Sequence, residues 1–566
     1  MTPKIDINNS SSDNTKNDNN LLSSTAKGAS YLILLQLISR MLTFFLHQII
    51  LRYTTAETFG IASVKLELLL STILFISREG YRCALVRGDS NNNNNNKNNK
   101  TNIGPVPENT LEGLEQKVTN ASYIPTAFGL ITTCLACSYY LYTIDDTVAT
   151  LYPYYRISVI LFGAAALIEL CVEPLFIMSL NRMYFQLRVT IEGVAVILRC
   201  LITFGLTLWG ATGSDIDENT FGVLAFAVAQ FVFGLTICLG YSGYFLFKVK
   251  KGEMTLSSLL PRKLISSNGR TFWFDSTLTT LGSTLTKQSL LKHILTEGDK
   301  MLVSVLSSDA DQGVYAFVVN YGSLIVRILF QPLEETGRTL FSKLLNKNGK
   351  QESKKMAKDV LILILRFHVI LGLIFISFGT NYTSTLIDLL VGKKWSQGDA
   401  PLVLSFYCIY VPVMGINGIT EGFVQAVASK SDLARLSYYM IGFSFCFMTA
   451  GIFFMYILQL GAIGLVLANM VNLCIRITYS WYYIRWFFQE EEFGSWLPSG
   501  TTLTCFGISW ILTFLSQEKI GWQSFQQKLL HIGIGCICFC LVCLVLFWKE
   551  KDLIRDIQKL TKKKKS

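Results

Sequence analysis

Charge is scarce in this chain. Only 16% of its 566 residues are Asp, Glu, Lys or Arg, 51% are hydrophobic, and mean hydropathy is +0.40. A soluble chain of this length could not hide so much apolar surface. Catalytic sets are missing too. The four histidines, His47, His293, His368 and His531, stand apart from any nucleophile or second ligand at a useful spacing. No glycine-rich phosphate loop occurs, which argues against ATP hydrolysis, and no cofactor or metal motif is expected. The fourteen cysteines form no four-ligand zinc pattern. Most lie inside apolar runs, such as Cys536, Cys538, Cys540 and Cys543, and read as packing residues.

What is present is a succession of apolar segments about 20 residues long, the length that crosses a bilayer as a helix. Lipid admits only helices and closed barrels, and segments of this length specify helices. The expected fold class is therefore an all-α polytopic membrane protein. Spans are expected near 30–51, 62–81, 123–143, 156–180, 188–209, 221–247, 275–306, 312–335, 360–379, 401–427, 434–458, 461–484, 499–516 and 527–548, about fourteen in all. The seventh carries Lys287, Lys292, Glu297, Asp299 and Lys300, so it must face protein or water.

The first twenty residues are polar and Asn-rich, and no cleavable signal peptide is visible, so residues 1–28 are expected to stay cytosolic. Lysine and arginine then concentrate on the cytosolic side: in 248–270, in 336–358 and in the basic tail 549–566. An even number of spans puts both termini there. The net charge of +11 reads as this cytosolic excess and not as a nucleic-acid surface. The Asn-rich tract within 88–120 can bury nothing and is expected to be a disordered cytosolic loop. Asn381 heads the one glycosylation sequon expected on the opposite side. Lys563 and Lys564 match a dilysine retrieval signal for the endoplasmic reticulum, or else a plain positive anchor on anionic lipid.

The polar residues within the spans carry the functional reading. Gln36, Arg40, Thr43 and His47 fall on one helical stripe. An arginine at mid-membrane costs at least about 2.5 kcal/mol on insertion scales, so it should face the bundle interior. There it serves either a structural ion pair or an anion-binding cavity. Arg78 and Arg82 are four apart and share a face, with Glu79 within reach of Arg82. Paired guanidinium groups suit a phosphate or diphosphate, while the bland alternative is snorkelling to headgroups. Glu169 and Glu173, then Arg188 and Glu192, repeat the i, i+4 spacing and read as a Glu–Arg clamp. Further along, Asn320, Ser323, Arg327, Gln331 and Glu334 step by three or four. Asn417, Glu421 and Gln425 do the same, and Asn469, Asn472 and Arg476 add a third polar row. Charged helix faces without catalytic chemistry fit transport better than an enzyme.

The stretches SREGYRC, LTEGDKMLVSV, DQGVYAFVVNYGSLIVRILFQPLEE and GINGITEGFVQA resemble the RFT oligosaccharide-translocation family of the eukaryotic endoplasmic reticulum. The resemblance covers nearly the whole chain outside the N-terminal tail and the Asn tract. It implies a MATE-like and MurJ-like architecture of two six-helix lobes around a central cavity, plus two C-terminal helices. On that reading 29–247 is the N-lobe, 248–274 a cytosolic linker, 275–486 the C-lobe and 487–548 the added pair. It also implies a multi-pass protein of the endoplasmic-reticulum membrane that acts in N-glycosylation. Its partners would be membrane lipids and a dolichol-diphosphate oligosaccharide, moved from the cytosolic to the lumenal leaflet.

The diphosphate would be held by Arg40, Arg78, Arg82 and Arg327, with Gln36, His47 and Lys300 alongside. Glu79, Glu169, Glu173, Glu192, Glu297, Asn320, Glu334, Asn417 and Glu421 would supply cavity polarity or ion coupling. Two rivals stand beside this. One is a cation-coupled exporter of small amphipaths, against which the arginines weigh. The other is a non-transporting scaffold for other N-glycosylation machinery.

Overall fold

The computed structural model describes residues 44–87, 106–108, 110–144, 150–152, 154–182, 184–212, 218–266, 269–346, 351–489 and 496–550. These residues are almost wholly helical. Two compact units emerge: Leu69–His293 with the chain up to Thr54, and Thr55–Leu68 with Ile294–Ser566. Two of the three boundaries, at 68/69 and 293/294, fall inside helices.

The first unit is built from α1 (Glu67–Arg87), α2 (Leu111–Thr143), α3 (Tyr155–Cys171), α4 (Glu173–Asn181), α5 (Phe185–Thr212), α6 (Glu218–Lys250) and the first half of α7 (Ser276–Leu306). Helices α3 and α4 form one apolar segment bent by 42°. The bend has a local cause. Pro174 has no N–H to give to the carbonyl four residues back, that of Leu170. The Thr126 hydroxyl on α2 donates to that oxygen instead, at 2.7 Å. Below the bend Val172, Phe176, Met178, Ile191, Tyr241, Phe245 and Leu259 form a buried cluster.

A small sheet closes one end of this unit. Strand β1 (Val106–Pro107) pairs in parallel with β2 (Leu264–Ile265), which pairs antiparallel with β3 (Thr271–Phe272). Asn120, fully buried on α2, ties the sheet to the helix. Its Nδ2 donates to the carbonyls of Arg262 and Trp273 at 2.6 and 2.7 Å, and its Oδ1 accepts from the Arg262 N–H at 3.0 Å. Lys117 bridges Glu108 and Asp275 at 2.8 and 3.2 Å. The sequence reading treated these stretches as loop and linker, since two-residue strands leave no periodicity to detect.

The second unit opens with Ala56–Gly60 and a π-segment, Ile61–Leu66, packed on α8 (Asp309–Ile325). Gly60 and Gly313 make that approach possible. A Cβ on Gly313 would collide with the Ala56 carbonyl oxygen, and one on Gly60 with that of Asp309. Lys65 reaches across to Asp309 at 2.6 Å. After the π-segment Val326–Phe330 come α9 (Gln331–Asn346), α10 (Gln351–Ile374), α11 (Thr380–Leu390), α12 (Ala400–Val427), α13 (Lys430–Gly451) and α14 (Gly461–Phe487). The last two helices, α15 (Gly500–Ile520) and α16 (Phe525–Lys549), pair with each other. Polar contacts fasten them to α10 and α11. Glu550 meets Arg366, and Lys528 meets Asp388. His531 accepts from Ser516 and gives its Nε2 proton to the Asn381 carbonyl.

Ten helices among the described residues are long and apolar enough to cross a membrane, or eleven with the bent pair counted as one span. The chain is thus a multi-pass membrane protein, and the described residues do not confirm the expected count of fourteen. Most of the first expected span lies outside the described residues. Helices α7 and α15 form where expected, over 31 and 21 residues, but neither is apolar enough to qualify.

Candidate functional site

A cavity of about 240 Å³ opens in the first unit, lined on its polar side by Arg78, Arg82, Arg188, Glu169, Glu173 and Glu192. The local structure explains why these six meet. Helix α1 puts Arg78 and Arg82 one turn apart on one face, and the bent α3–α4 segment puts Glu169 and Glu173 opposite them. The result is a ladder with two rungs. On one, Arg82 grips Glu173 with a fork: Nε to Oε1 at 2.7 Å and Nη2 to Oε2 at 2.6 Å. On the other, Arg78 Nη1 lies 3.4 Å from Glu169 Oε2. Arg188 pairs with Glu192 along α5 at 2.9 Å. Phe176 forms an aromatic wall, its ring centre 4.0 Å from the Arg82 guanidinium and 5.3 Å from that of Arg188.

Burial differs along the ladder. Glu173 is only 1% exposed and Glu169 8%, while the Arg78 and Arg82 side chains keep 23% and 22% of their surface. The carboxylates are therefore sunk behind the guanidinium groups. Three arginines face three glutamates, so the lining carries no excess positive charge as it stands. Behind the ladder, Gln230 Nε2 donates to Glu169 Oε1 at 3.3 Å, and Arg199 Nη1 donates to Gln230 Oε1 at 2.9 Å. His47 lies within electrostatic range of Arg199. Gln230 and Arg199 were not singled out in the sequence. The available signal was one polar residue in each apolar run, VAVILRCLITF and AFAVAQFVFGL.

Among the sequence candidates on α1, Arg82 turns its fork to Glu173 on α4 instead of to its helix neighbour Glu79. The Cys83 thiol lies 4.0 Å from Glu79 Oε1. Gln36, Arg40, Lys563 and Lys564 lie outside the described residues.

In the second unit, Glu421 collects three donors: Arg476 at 2.5 Å, Gln425 at 3.1 Å and Asn417 at 3.3 Å. Glu334 pairs with Arg338 at 2.6 Å, and Glu297 with Lys300 at 2.8 Å. Asp299 accepts from the Tyr315 hydroxyl at 3.1 Å, and Asn469 donates to the same hydroxyl at 3.4 Å. Asn320 and Arg327 are exposed. Arg327 sits in the π-segment and bonds only to Ser323 of its own helical stretch, through the carbonyl and the hydroxyl. Unlike Arg78 and Arg82, it has no carboxylate partner among the described residues.

Asn381 is the sequon asparagine. It lies inside α11, is 4% exposed, and spends its Nδ2 on the Trp510 carbonyl at 3.1 Å and the Thr513 hydroxyl at 2.8 Å. A glycan on that nitrogen would break both bonds. Among the described residues, no three His, Cys, Asp or Glu side chains converge as a metal site.

Solved structures define the class. The fold matches the lipid II flippase MurJ in an inward closed conformation, with a TM-score of 0.54 and 13% identity over 93% of this chain and 99% of that one. It also matches an inward-facing multidrug-resistance MATE family transporter of the MOP superfamily, with a TM-score of 0.50 and 12% identity over 81% and 98%. The chain has a MurJ- and MATE-type transporter fold.

The family follows from sequence. The model described as Rft protein matches residues 24–560, and the chain belongs to the Rft family. Similar proteins include those of Yarrowia lipolytica (33% identical, 88% of this chain and 75% of that one), Candida albicans (32%, 98% and 98%) and Mus musculus (30%, 95% and 97%). Each is named a Man(5)GlcNAc(2)-PP-dolichol translocation protein.

Proposed function

We propose that this chain moves a dolichol-diphosphate-linked oligosaccharide, of the kind its relatives' names state, from the cytosolic to the lumenal leaflet of the endoplasmic-reticulum membrane. The observation that carries the reading is the arginine pair on α1, facing a cavity inside an otherwise apolar unit. A diphosphate and several sugars must pass a hydrocarbon slab about 30 Å thick, and guanidinium groups in a hydrated cavity lower that barrier. Arg78 is the principal diphosphate ligand, with Arg82 beside it and Arg40, Gln36 and His47 on the first span as further contacts. Lys300 and Arg327 on the second unit serve the same cargo. The movement is downhill or ion-coupled, and in the second case Glu169, Glu173 and Glu421 are the candidate coupling acids. Both termini and the Asn tract face the cytosol, so protease added to sealed microsomes should cut within 90–100. Protection of that loop reverses the orientation.

One observation favours a second reading. The two described ladder arginines are already paired with carboxylates, as structural clamps are. On that reading the chain is a scaffold for N-glycosylation components and its arginines only hold helices together. Reconstitution decides between them. Vesicles holding the purified protein and the authentic lipid-linked oligosaccharide should translocate it, and Arg78→Lys should slow that step at normal protein abundance. Equal rates with and without protein leave the scaffold.

A further inference from the structure

Glu169 and Glu173 look equivalent in sequence, four residues apart, but the structure treats them differently. Glu173 is locked. Both its oxygens are taken by one guanidinium at 2.6 and 2.7 Å, and almost none of its surface is exposed. Glu169 is divided. One oxygen faces Arg78 at a long 3.4 Å, and the other faces Gln230 at 3.3 Å. Gln230 is buried and is held in turn by Arg199 at 2.9 Å. Both of these contacts are long, so a small rotation shortens either one.

We infer that Glu169 is the resident anion of Arg78, and that an incoming phosphate group displaces it toward Gln230 and Arg199. The inference rests on the proposed function and assigns the step by which its cavity opens. A guanidinium takes phosphate oxygens, as it takes carboxylates, through charge-assisted bonds that can form as a fork. A displaced carboxylate left bare in the protein interior would cost more than the new bond returns. Gln230 removes that cost because its N–H is already aimed at Glu169, and Arg199 behind it supplies the positive charge the shifted acid needs. Arg82 and Glu173 keep their fork throughout and hold α1 against α4 while Arg78 changes partner. Gln230 and Arg199 are thus positioning residues, acting on the ligand through Glu169.

The recognised chemistry is a diphosphate group, which a free anion and a polyprenyl lipid both offer. The test measures binding to the purified full-length protein in lipid nanodiscs, with inorganic pyrophosphate in one arm and farnesyl diphosphate in the other. Glu169→Gln removes the resident charge while keeping the shape, and should tighten binding about tenfold. A gain of affinity cannot come from misfolding. Gln230→Leu removes the alternative partner and should weaken binding, yet should have no effect once Glu169→Gln is present. That non-additivity is the signature of the exchange.

If Glu169→Gln leaves affinity unchanged while Arg78→Ala abolishes binding, the exchange is wrong and the diphosphate site stands. If Arg78→Ala binds as well as wild type, the site itself falls. Tightening for both probes assigns recognition to the diphosphate alone. Tightening for the farnesyl compound alone adds the prenyl chain to what the opened site recognises.

Discussion

Each unit holds a glutamate–arginine cluster, across α1, α3, α4 and α5 in the first and across α12 and α14 in the second, and the two are built to opposite ends. In the second unit a single acid, Glu421, is surrounded by Arg476, Asn417 and Gln425. Donors outnumber acceptors and the acid is saturated. In the first unit Arg78, Arg82 and Arg188 face Glu169, Glu173 and Glu192 around an opening large enough for a ligand group. Charges balance there, and one rung is long. A hub with spare donors is a lock, whereas a balanced ladder with one slack rung is a place where an anion can enter. Donor count and bond length, more than the presence of arginine, separate a fastener from a binding site.

The largest effect should come from the locked rung. Arg82→Ala leaves Glu173 buried and unpaired, which costs about 3–5 kcal/mol. Abundance and thermal midpoint should both collapse, and a stable Arg82→Ala protein would show that the rung carries no structural load. The hub comes next. Arg476→Ala strands Glu421, but Asn417 and Gln425 remain to donate, so the loss should be smaller than at Arg82. A drop in midpoint larger than that of Arg82→Ala would invert the comparison.

Arg78→Lys should keep abundance near wild type, because the slack rung stabilises little. Secreted glycoproteins should nonetheless become under-glycosylated, since lysine lacks the fork. Normal glycosylation in these cells would place Arg78 with the fasteners. Asn381→Ala is the smallest. Its two hydrogen bonds hold α11 to α15, so about 1–3 kcal/mol of stability should be lost. Endoglycosidase treatment of the wild type should leave its gel mobility unchanged, and a mobility shift traced to Asn381 would overturn its assignment as a helix fastener.

Much of this was legible beforehand, for reasons tied to particular residues. The i, i+4 pairs Arg78/Arg82 and Glu169/Glu173 were visible because helical periodicity fixes faces. Which acid would meet which arginine was not visible, since that depends on the bend at Pro174 and on helix packing. Arg199 and Gln230 stand alone in apolar runs and show no spacing with each other, so their contact is purely tertiary. Asn381 reads as a glycosylation site in any one-dimensional scan. Its burial depends on Trp510 and Thr513, about 130 residues further along. Helices α7 and α15 were found as helices, yet their polar content kept them below the apolarity of their neighbours.

The Thr126 hydroxyl on the Leu170 carbonyl has a consequence for how this protein can drift. Proline at 174 and a hydroxyl at 126 act as a structural pair. Serine at 126 preserves the bond. Valine, which has nearly the same shape, leaves a bare carbonyl in the interior and invites the helix to straighten. A lineage that changed Thr126 could therefore alter the spacing of Glu169 and Glu173 without changing a single charged residue. Substitutions at 126 and 174 should accordingly travel together among relatives, although neither residue lines the cavity.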